Sequence, residues 1–388
     1  MPGMFSLGTF RGRIVALGGV IVLLLAAGIW VALSHASAQP TPGSQHQAAG
    51  SKPSADPLQV VSVTPADAAT GVNGASPIKV VFSARLAANS PMPAVSPAIP
   101  GSWQHVSADA VQFVPARGFA EYEHVRVEIP AGSAGVTAAA GGTLAAPDTV
   151  SFETGGYAPA RMAELLAQLG YLPLTWTPAA GTAAPLSDAS AQLSAAYAPP
   201  AGTFSWKPGY PVELHDFWQD GAPTSLIMDG AVMAFESDHG LTMDGAAGHG
   251  VWDVMFRALA ADQVNTSGYS YALASEASPE TLTVWHNGRE ILRTLANTGI
   301  PAAPTTIGTA PVYLRYSFQI MRGTNPDGST YADPVSWVSY FRSGEAVHYF
   351  PRYSYGYPQS LGCVELPYAQ AKYIWPYMTY GTLVTVAA

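Results

Sequence analysis

The chain of 388 residues is 48 % apolar and only 11 % charged, and it carries a formal net charge of −9 at pH 7. Its length predicts two to four domains at roughly 100–200 residues each. The acidic balance excludes nucleic acid as a partner, because phosphate groups require a basic surface. The 38 glycines and 33 prolines favour β-rich domains with many turns over long helices.

Residues 1–38 are predicted to be a targeting segment. Arg11 and Arg13 precede an uncharged stretch at 14–33, and Ala36-Ser37-Ala38 has the pattern of a signal-peptidase site. The apolar stretch is longer than a usual signal core of about 7–15 residues and reaches the ~20 residues that span a bilayer. A cleaved signal peptide and an uncleaved membrane anchor with cytoplasmic arginines therefore both remain open. Either one exports the rest of the chain, to the cell wall or to the extracytoplasmic face of the membrane.

Residues 39–57 are rich in Ser, Gln, Ala, Gly and Pro without periodicity, which indicates a linker. Residues 58–155 carry short alternating runs separated by turns, which predict a β-sandwich of about 100 residues. The predicted strands lie at 60–63, 78–82, 111–114, 125–129 and 150–154. The runs Val-Thr-Pro-Ala-Asp at 63–67 and Phe-Glu-Thr-Gly at 152–155 resemble a bacterial Ig-like domain of cell-surface proteins, which implies a spacer.

Residues 156–264 are predicted to be helical and to contain an insertion. A helix is predicted over 159–172, because apolar residues recur at helical spacing and Gly170 supplies a stop signal. A second helical piece is predicted at 230–236, and residues 175–210 form a Pro/Ala/Thr-rich interruption. Together with the run Gly-Leu-Thr-Met-Asp-Gly-Ala-Ala-Gly at 240–248, this order resembles a peptidoglycan-binding helical domain.

Acidic and imidazole side chains cluster in the sequence around this run, namely Asp238, His239, Asp244 and His249. No set among them has the spacing of known metal-ligand motifs. Helix caps and turns therefore account for these residues better than a metal site does. Asp244-Gly245 and Gly248 have the composition of a turn.

Residues 265–388 are predicted to form a second mostly-β domain. Asn287-Gly288 lies between alternating runs at 281–285 and 290–293, which is a strong hairpin signal. Further strands are predicted at 312–320, 335–341 and 381–386. The fold class predicted for the chain is mostly β and multidomain.

Cys363 is the one cysteine of the chain, so it cannot form an internal disulfide. His348 lies fifteen residues upstream, and Gly362 permits a sharp turn that exposes backbone N–H groups. A thiol of pKa about 8.5 is only a few per cent thiolate at neutral pH. A neighbouring imidazole increases the reactive fraction by taking the proton or by forming an ion pair. These are the parts of a cysteine acyl-transfer site, and the alternative is that Cys363 is a small buried apolar residue.

This segment resembles the L,D-transpeptidase catalytic domain of the YkuD-like family, over about residues 270–387. The family pattern is a histidine, a short loop and then Ser-His-Gly-Cys, followed by an apolar residue and usually Arg or Asn. His348 and the run 360–363 fit this pattern, as do the stretches 297–309 and 380–386. The resemblance implies that the C-terminal domain is a YkuD-like β-sandwich.

Two positions depart from the family pattern. Leu361 stands where the signature has its histidine, and this side chain neither donates nor accepts a hydrogen bond. Glu365 stands in place of Arg or Asn, and a carboxylate beside a thiolate raises the thiol pKa. Both departures bear on whether the site is active.

The resemblance also implies roles for residues around the thiol. Cys363 would be the nucleophile and His348 the base. The Tyr349 carbonyl and Ser360 would be orienting groups. Candidates for the oxyanion hole are the backbone N–H groups of Leu361, Gly362 and Cys363.

The loop between His348 and Cys363 carries candidate substrate-binding residues. Flat rings with hydroxyl tips suit a groove for amide and sugar groups, and the loop has them at Tyr353, Tyr355 and Tyr357. Packing in the core is the alternative for these tyrosines. Arg352 is predicted to meet a substrate carboxylate through paired N–H donors, with a plain surface arginine as the alternative.

The implied activity is acyl transfer between peptidoglycan stem peptides through a thioester on Cys363. It requires no metal or organic cofactor. Peptidoglycan stem peptides and glycan are the implied partners, and a carbapenem is an implied thiol-directed ligand. Two rivals remain open: an L,D-carboxypeptidase that transfers to water at the same site, and a non-catalytic peptidoglycan-binding cell-wall protein. The departures at Leu361 and Glu365 favour the second rival.

Overall fold

The computed structural model describes residues 56–220, 222 and 225–388. The predicted targeting segment and nearly all of the predicted linker lie outside these residues. Among the described residues, no helix is both long enough and apolar enough to cross a membrane. The described chain is mostly β, as predicted, with its helices concentrated between two β-rich regions.

The first β-rich region is a sandwich of two four-stranded sheets. Its strands are β1 (Val60–Thr64), β2 (Ala69–Val72), β3 (Ile78–Phe82), β4 (Ala94–Ser96), β5 (Gly101–Ser107), β6 (Ala110–Pro115), β7 (His124–Ile129) and β8 (Asp148–Thr154). One sheet has the order β1-β3-β6-β5 and the other has the order β2-β8-β7-β4. All five predicted strands are present. The sequence analysis did not predict β2, β4 and β5, in which no side chain is fully buried.

Strict alternation along the chain explains why the sandwich closes. Every second side chain of β7 is buried, and β3 buries its own alternate side chains from the facing sheet. The two rows meet in one core that includes Ile78, Val80, Phe82, Val125, Val127 and Ile129.

The helical region follows the sandwich. Its elements are α1 (Pro159–Gln168), β9 (Leu174–Pro178), α2 (Ala189–Tyr197), β10 (Gly202–Trp206), α3 (Val212–His215), α4 (Leu226–Asp238) and α5 (His249–Ala260). The two predicted helices correspond to α1 and α4, and Gly170 follows α1 with the left-handed φ of +83° that ends a helix. The Pro/Ala/Thr-rich interruption is itself ordered, because it contains α2 and most of the paired strands β9 and β10.

The segment 240–248 is the loop between α4 and α5. The Asp244 carboxylate accepts a 2.9 Å hydrogen bond from the Ala246 N–H, and the Glu236 carboxylate accepts one of 2.9 Å from the Gly245 N–H. Glu236 is fully buried, and its second oxygen has no hydrogen-bond partner within the described part of the chain. Burial raises the pKa of Glu236 to about 7, and nearby Asp244 adds to this increase.

The other acidic and imidazole residues near this loop take local roles. Asp238 accepts a 3.0 Å hydrogen bond from the Tyr171 hydroxyl, and His239 ends α4. His249 lies 3.5 Å from the carboxylate of Asp253, one turn further along α5. Over the described residues, no group of three or more His, Cys, Asp or Glu side chains is arranged to hold a metal ion.

The second β-rich region contains two sheets and one helix. Its elements are β11 (Ser270–Ser275), β12 (Thr281–His286), β13 (Arg289–Leu295), β14 (Gly308–Pro311), β15 (Leu314–Thr324), β16 (Thr330–Arg342), β17 (Glu345–Tyr349), β18 (Val364–Leu366), α6 (Tyr368–Ile374) and β19 (Leu383–Ala387). The sheet orders are β13-β12-β11-β19-β14 and β15-β16-β17-β18. The hairpin predicted at Asn287-Gly288 joins β12 and β13, and both residues have positive φ, as a tight hairpin turn requires.

The two sheets of this region face a common apolar core. Val284 and Val384 enter it from the five-stranded sheet, and Val347 and Val364 enter it from the four-stranded sheet. The strands β17 and β18 pair in parallel, so the chain between them must make a crossover that begins after Tyr349. This crossover brings Cys363 back beside β17.

Candidate active site

Cys363 and His348 lie on one wall of the same cavity. In the parallel pair, Val347 is opposite Val364 and His348 is opposite Glu365. Successive side chains of a strand point to opposite faces. Val347 and Val364 therefore point into the core, while His348 and Glu365 share the other face with Cys363, two residues before Glu365. All three of these residues line a cavity of about 450 Å³.

The hairpin formed by β15 and β16, which belongs to the same four-stranded sheet as β17 and β18, also lines the cavity. On β15, Gln319 and Met321 are half-buried, while Phe318 and Ile320 are more exposed. The residues of the hairpin that line the cavity include Gln319, Met321, Tyr331, Asp333 and Tyr340. Sequence analysis missed these residues as part of the site. For Gln319 and Met321 the local signal is the alternation between Tyr316 and Arg322, which indicates a strand without indicating what the strand faces.

The thiol of Cys363 is largely buried, with 8 % of the residue exposed. Its sulfur lies 3.6 Å from the carbonyl oxygen of Gly344, in the turn that joins β16 to β17. Burial raises the pKa of Cys363 to about 12; a backbone hydrogen bond at Ala346 acts in the opposite direction, and the nearby carboxylates of Glu365 and Glu345 add to the increase. At rest the group is therefore a thiol and not a thiolate.

The imidazole of His348 is buried and has a fixed orientation. Its Nδ1 lies 2.9 Å from the carbonyl oxygen of Tyr349, the group that the resemblance suggested as its partner. A carbonyl only accepts, so Nδ1 carries the proton and Nε2 is the basic nitrogen. Burial lowers the pKa of His348 below its ordinary value. A neutral thiol and a neutral imidazole on one cavity favour proton transfer during attack over a preformed ion pair.

The turn before the thiol is closed by Ser360. The Ser360 hydroxyl donates a 2.6 Å hydrogen bond to the carbonyl of Cys363 and accepts one of 3.2 Å from the Gly362 N–H. Gly362 has a φ of +108°, which side chains with a Cβ rarely adopt. The Gly362 N–H, one of the three candidate amides for the oxyanion hole, is thus already bonded inside the turn. The amides of Leu361 and Cys363 remain the candidates for that role.

Arg352 and Glu365 form a forked ion pair beside the thiol. The Nε and Nη2 atoms of Arg352 each lie 2.8 Å from one oxygen of the Glu365 carboxylate. The paired donors that we expected to meet a substrate carboxylate are therefore already used within the chain. A substrate carboxylate would have to compete with Glu365, and substrate binding by Arg352 stays a prediction.

The tyrosines of the crossover do not line the cavity. Tyr353 is completely exposed, the Tyr355 hydroxyl donates to the carbonyl of Phe350 at 2.6 Å, and the Tyr357 hydroxyl lies 2.8 Å from that of Ser354. Substrate binding by these tyrosines therefore stays a prediction. The tyrosines that line the cavity at Cys363 are Tyr331 and Tyr340.

Two stretches of the chain match models of known domain families. Residues 270–386 match YkuD, the L,D-transpeptidase catalytic domain, and residues 54–154 match Big_5, a bacterial Ig-like domain. The C-terminal β domain is thus similar to the YkuD family over nearly its whole length. The YkuD match includes Cys363, His348 and the whole cavity wall described above, and the expected likeness to both families is confirmed.

Solved structures similar to the chain are also L,D-transpeptidases. One from Mycobacterium smegmatis is 14 % identical over 86 % of this chain and 100 % of its own, with a TM-score of 0.29. L,D-transpeptidase 3 from Mycobacterium tuberculosis, in complex with a faropenem-derived adduct, is 16 % identical over 85 % of this chain and 98 % of its own, with a TM-score of 0.29. The catalytic domain of the E. faecium L,D-transpeptidase is 25 % identical over 30 % of this chain and 95 % of its own, with a TM-score of 0.28. No curated protein matches the chain.

Proposed function

We propose that the protein is a peptidoglycan L,D-transpeptidase that joins stem peptides through an acyl-enzyme on Cys363. The observation that carries this proposal is the placement of Cys363 and His348 on one wall of a substrate-sized cavity inside the YkuD domain. A thiol, a base fixed through its other nitrogen, and amides in a glycine turn are the parts that acyl transfer requires.

The first half of the reaction forms the thioester. The Cys363 sulfur attacks the carbonyl carbon of the L-residue that precedes the departing D-residue in the donor stem, while Nε2 of His348 takes the thiol proton. The carbonyl oxygen becomes an oxyanion, which the amides of Leu361 and Cys363 are the candidates to bind. The C–N bond then breaks, and the departing D-residue takes the proton from His348.

The second half transfers the acyl group. An amine of a neighbouring stem attacks the thioester carbonyl and gives a proton to Nε2 of His348. The C–S bond breaks, and the sulfur recovers the proton. The small exposed fraction of Cys363 supports transfer to an amine over transfer to water, because burial limits access of water to the thioester.

A non-catalytic peptidoglycan-binding protein is the second candidate, and specific observations favour it. The thiol is 8 % exposed and has a raised pKa, and Leu361 replaces the histidine of the family signature. An L,D-carboxypeptidase would use the same residues with water as the acceptor.

Incubation of the full-length protein with imipenem, followed by mass spectrometry, separates enzyme from binding module. Addition of the thiol across the β-lactam carbonyl opens the ring and increases the protein mass by one drug molecule. We expect one adduct per chain, and none in Cys363→Ala. A wild-type chain without an adduct overturns the enzymatic proposal. Product analysis with and without an added amine then separates the transferase from the carboxypeptidase.

We also propose that the other parts of the chain serve this reaction at the cell wall. Residues 1–38 would export the chain, and residues 58–155 would act as the spacer of the Ig-like type. Residues 156–264 would bind peptidoglycan. Fractionation of cells that produce the full-length chain tests the localisation, and recovery in the cytoplasm would contradict it.

A further inference from the structure

Glu365 is placed where its charge affects both reacting groups. It is 4 % exposed, it lies directly opposite His348 in the parallel pair, and it follows Cys363 by two residues on the same face. Its backbone N–H and carbonyl are bonded to the carbonyl and N–H of Asn297, at 2.9 and 3.0 Å. The backbone at Glu365 is thus fixed independently of the side chain.

Arg352 reaches Glu365 from the start of the crossover. Besides the fork onto the carboxylate, its Nη2 donates a 2.9 Å hydrogen bond to the carbonyl of Gln359, the residue before Ser360. Its guanidinium also lies 4.6 Å from the centre of the Phe350 ring. The Arg352 side chain therefore links the beginning of the crossover both to its end at Gln359 and to β18, the strand that follows the thiol.

We propose that Arg352 and Glu365 are a positioning pair that keeps the Cys363–His348 wall electrically balanced and holds the crossover closed behind the thiol. The role of the pair in catalysis rests on the proposed function, but its effect on the reactivity of the thiol can be measured without catalysis. Arg352 then offsets the departure of Glu365 from the Arg or Asn of the family pattern.

The electrostatic part has a definite sign. A carboxylate near a thiol or an imidazole raises the pKa of each, and a guanidinium lowers both. Both influences reach His348, whose pKa Glu365 raises and Arg352 lowers. The other charged and titratable groups near this wall are Arg322 on β15, Tyr331, Asp333 and Tyr340 on β16, Glu345 at the start of β17, and Tyr355 in the crossover. None of these changes in the variants below.

The single cysteine makes the test direct, because iodoacetamide reacts with the thiolate and has one thiol to label in the chain. We would measure labelling rates of the full-length protein between pH 7 and pH 9 for the wild type, Arg352→Gln, Glu365→Gln and the double variant. The first variant leaves the carboxylate uncompensated and should react about tenfold more slowly, which corresponds to one pKa unit. The second leaves the guanidinium uncompensated and should react faster by a similar factor. The double variant should return to within about twofold of the wild type.

A matched control is available on β13. Arg293 makes a similar fork onto Glu290, at 2.9 and 3.2 Å, but on the exposed surface. Arg293→Gln should leave the labelling rate unchanged. Thermal unfolding of each variant identifies any change in rate that comes from loss of the fold.

A pair with a purely structural role would not change the labelling rate in opposite directions in the two single variants, and the double variant would not recover the wild-type rate. If both single variants change the rate in the same direction, or if the double variant combines their effects without recovery, the pair does not act through charge and the proposal fails. Unchanged rates in both single variants also overturn it. A wild type that reacts with iodoacetamide but not with imipenem would remove the proposed function and leave this result standing.

Discussion

The hydroxyl of Ser360 donates a 2.6 Å hydrogen bond to the carbonyl oxygen of Cys363, three residues along the chain. Both residues are buried, so Ser360→Ala leaves that carbonyl and the Gly362 N–H without their partner. We expect the free energy of unfolding to fall by about 1–3 kcal/mol. We also expect acylation of Cys363 by imipenem to slow by more than about tenfold, because a small displacement of a nucleophile is costly.

Ser339→Ala provides the matched control for this prediction. Ser339 is equally buried in the same domain, and its hydroxyl donates to the carbonyl of Met378 at 3.3 Å, away from the thiol. It should lower stability without a comparable loss of acylation. If both variants lose acylation in proportion to stability, Ser360 has no special role in placing the thiol.

Gly362 is expected to tolerate a methyl group sterically but not conformationally. An added Cβ would lie 3.7 Å from a side-chain carbon of Glu345 and 3.8 Å from the Pro304 carbonyl, which are ordinary contacts. The φ of +108° is the obstacle, and such strain costs about 1–3 kcal/mol. We therefore expect Gly362→Ala to relax the turn, move the Cys363 amide and slow labelling and acylation together.

Gly181 provides a control that separates the loss of stability caused by backbone strain from the loss of reactivity at Cys363. Gly181 has a φ of +77° and open space around it, in the helical region. Gly181→Ala should show a similar decrease in unfolding temperature and unchanged acylation by imipenem. Equal acylation in Gly362→Ala and the wild type would mean that the turn does not position the reacting groups.

Local patterns predicted those parts of the fold that depend on neighbours in sequence. Alternation indicated β3, β6 and β7, helical spacing with a stop glycine indicated α1, and Asn287-Gly288 indicated its hairpin. The presence of Cys363 and His348 in one site was implied by the family pattern, and in the structure the parallel pair of β17 and β18 brings the ends of the crossover together. Each of these inferences uses a rule that acts over a few residues or one connection.

The remaining parts of the site depend on contacts between segments that no local pattern connects. Residues of the β15–β16 hairpin line the cavity because β16 pairs with β17 in one sheet, and the alternation along β15 says only that one of its faces is covered. The fork between Arg352 and Glu365 joins two residues thirteen positions apart, which carry no shared signal in the sequence. Tyrosines near a nucleophile indicated a groove, but ring direction is set by the path of the crossover, and Tyr353 points into solvent.

Tyr331 and Tyr353 therefore give a direct test of which aromatic residues form the substrate wall. Tyr331 on β16 lines the cavity, whereas Tyr353 in the crossover is completely exposed. We expect Tyr331→Ala to reduce the second-order rate of imipenem acylation by about tenfold or more, because the ring supplies buried contact area to a bound ligand. Tyr353→Ala should leave that rate within about twofold of the wild type. The reverse order would restore the crossover tyrosines as the wall.

Glu236 should make stability depend on pH. Its pKa is about 7 in the folded chain, above the ordinary glutamate value, because its carboxylate is buried and only one oxygen has a partner within the described residues. A group whose pKa is raised on folding stabilises the protein at low pH, and this contribution is lost as pH rises through about 7. We therefore expect Glu236→Gln, which resembles the protonated acid, to gain stability relative to the wild type between pH 5 and pH 8. Any constant cost of the amide cancels when the difference in unfolding temperature is compared at the two pH values. As a control, Glu213→Gln, at an exposed position on α3, should show no such trend. If the difference in unfolding temperature between the wild type and Glu236→Gln is the same at pH 5 and pH 8, Glu236 does not titrate in this range and the prediction is wrong.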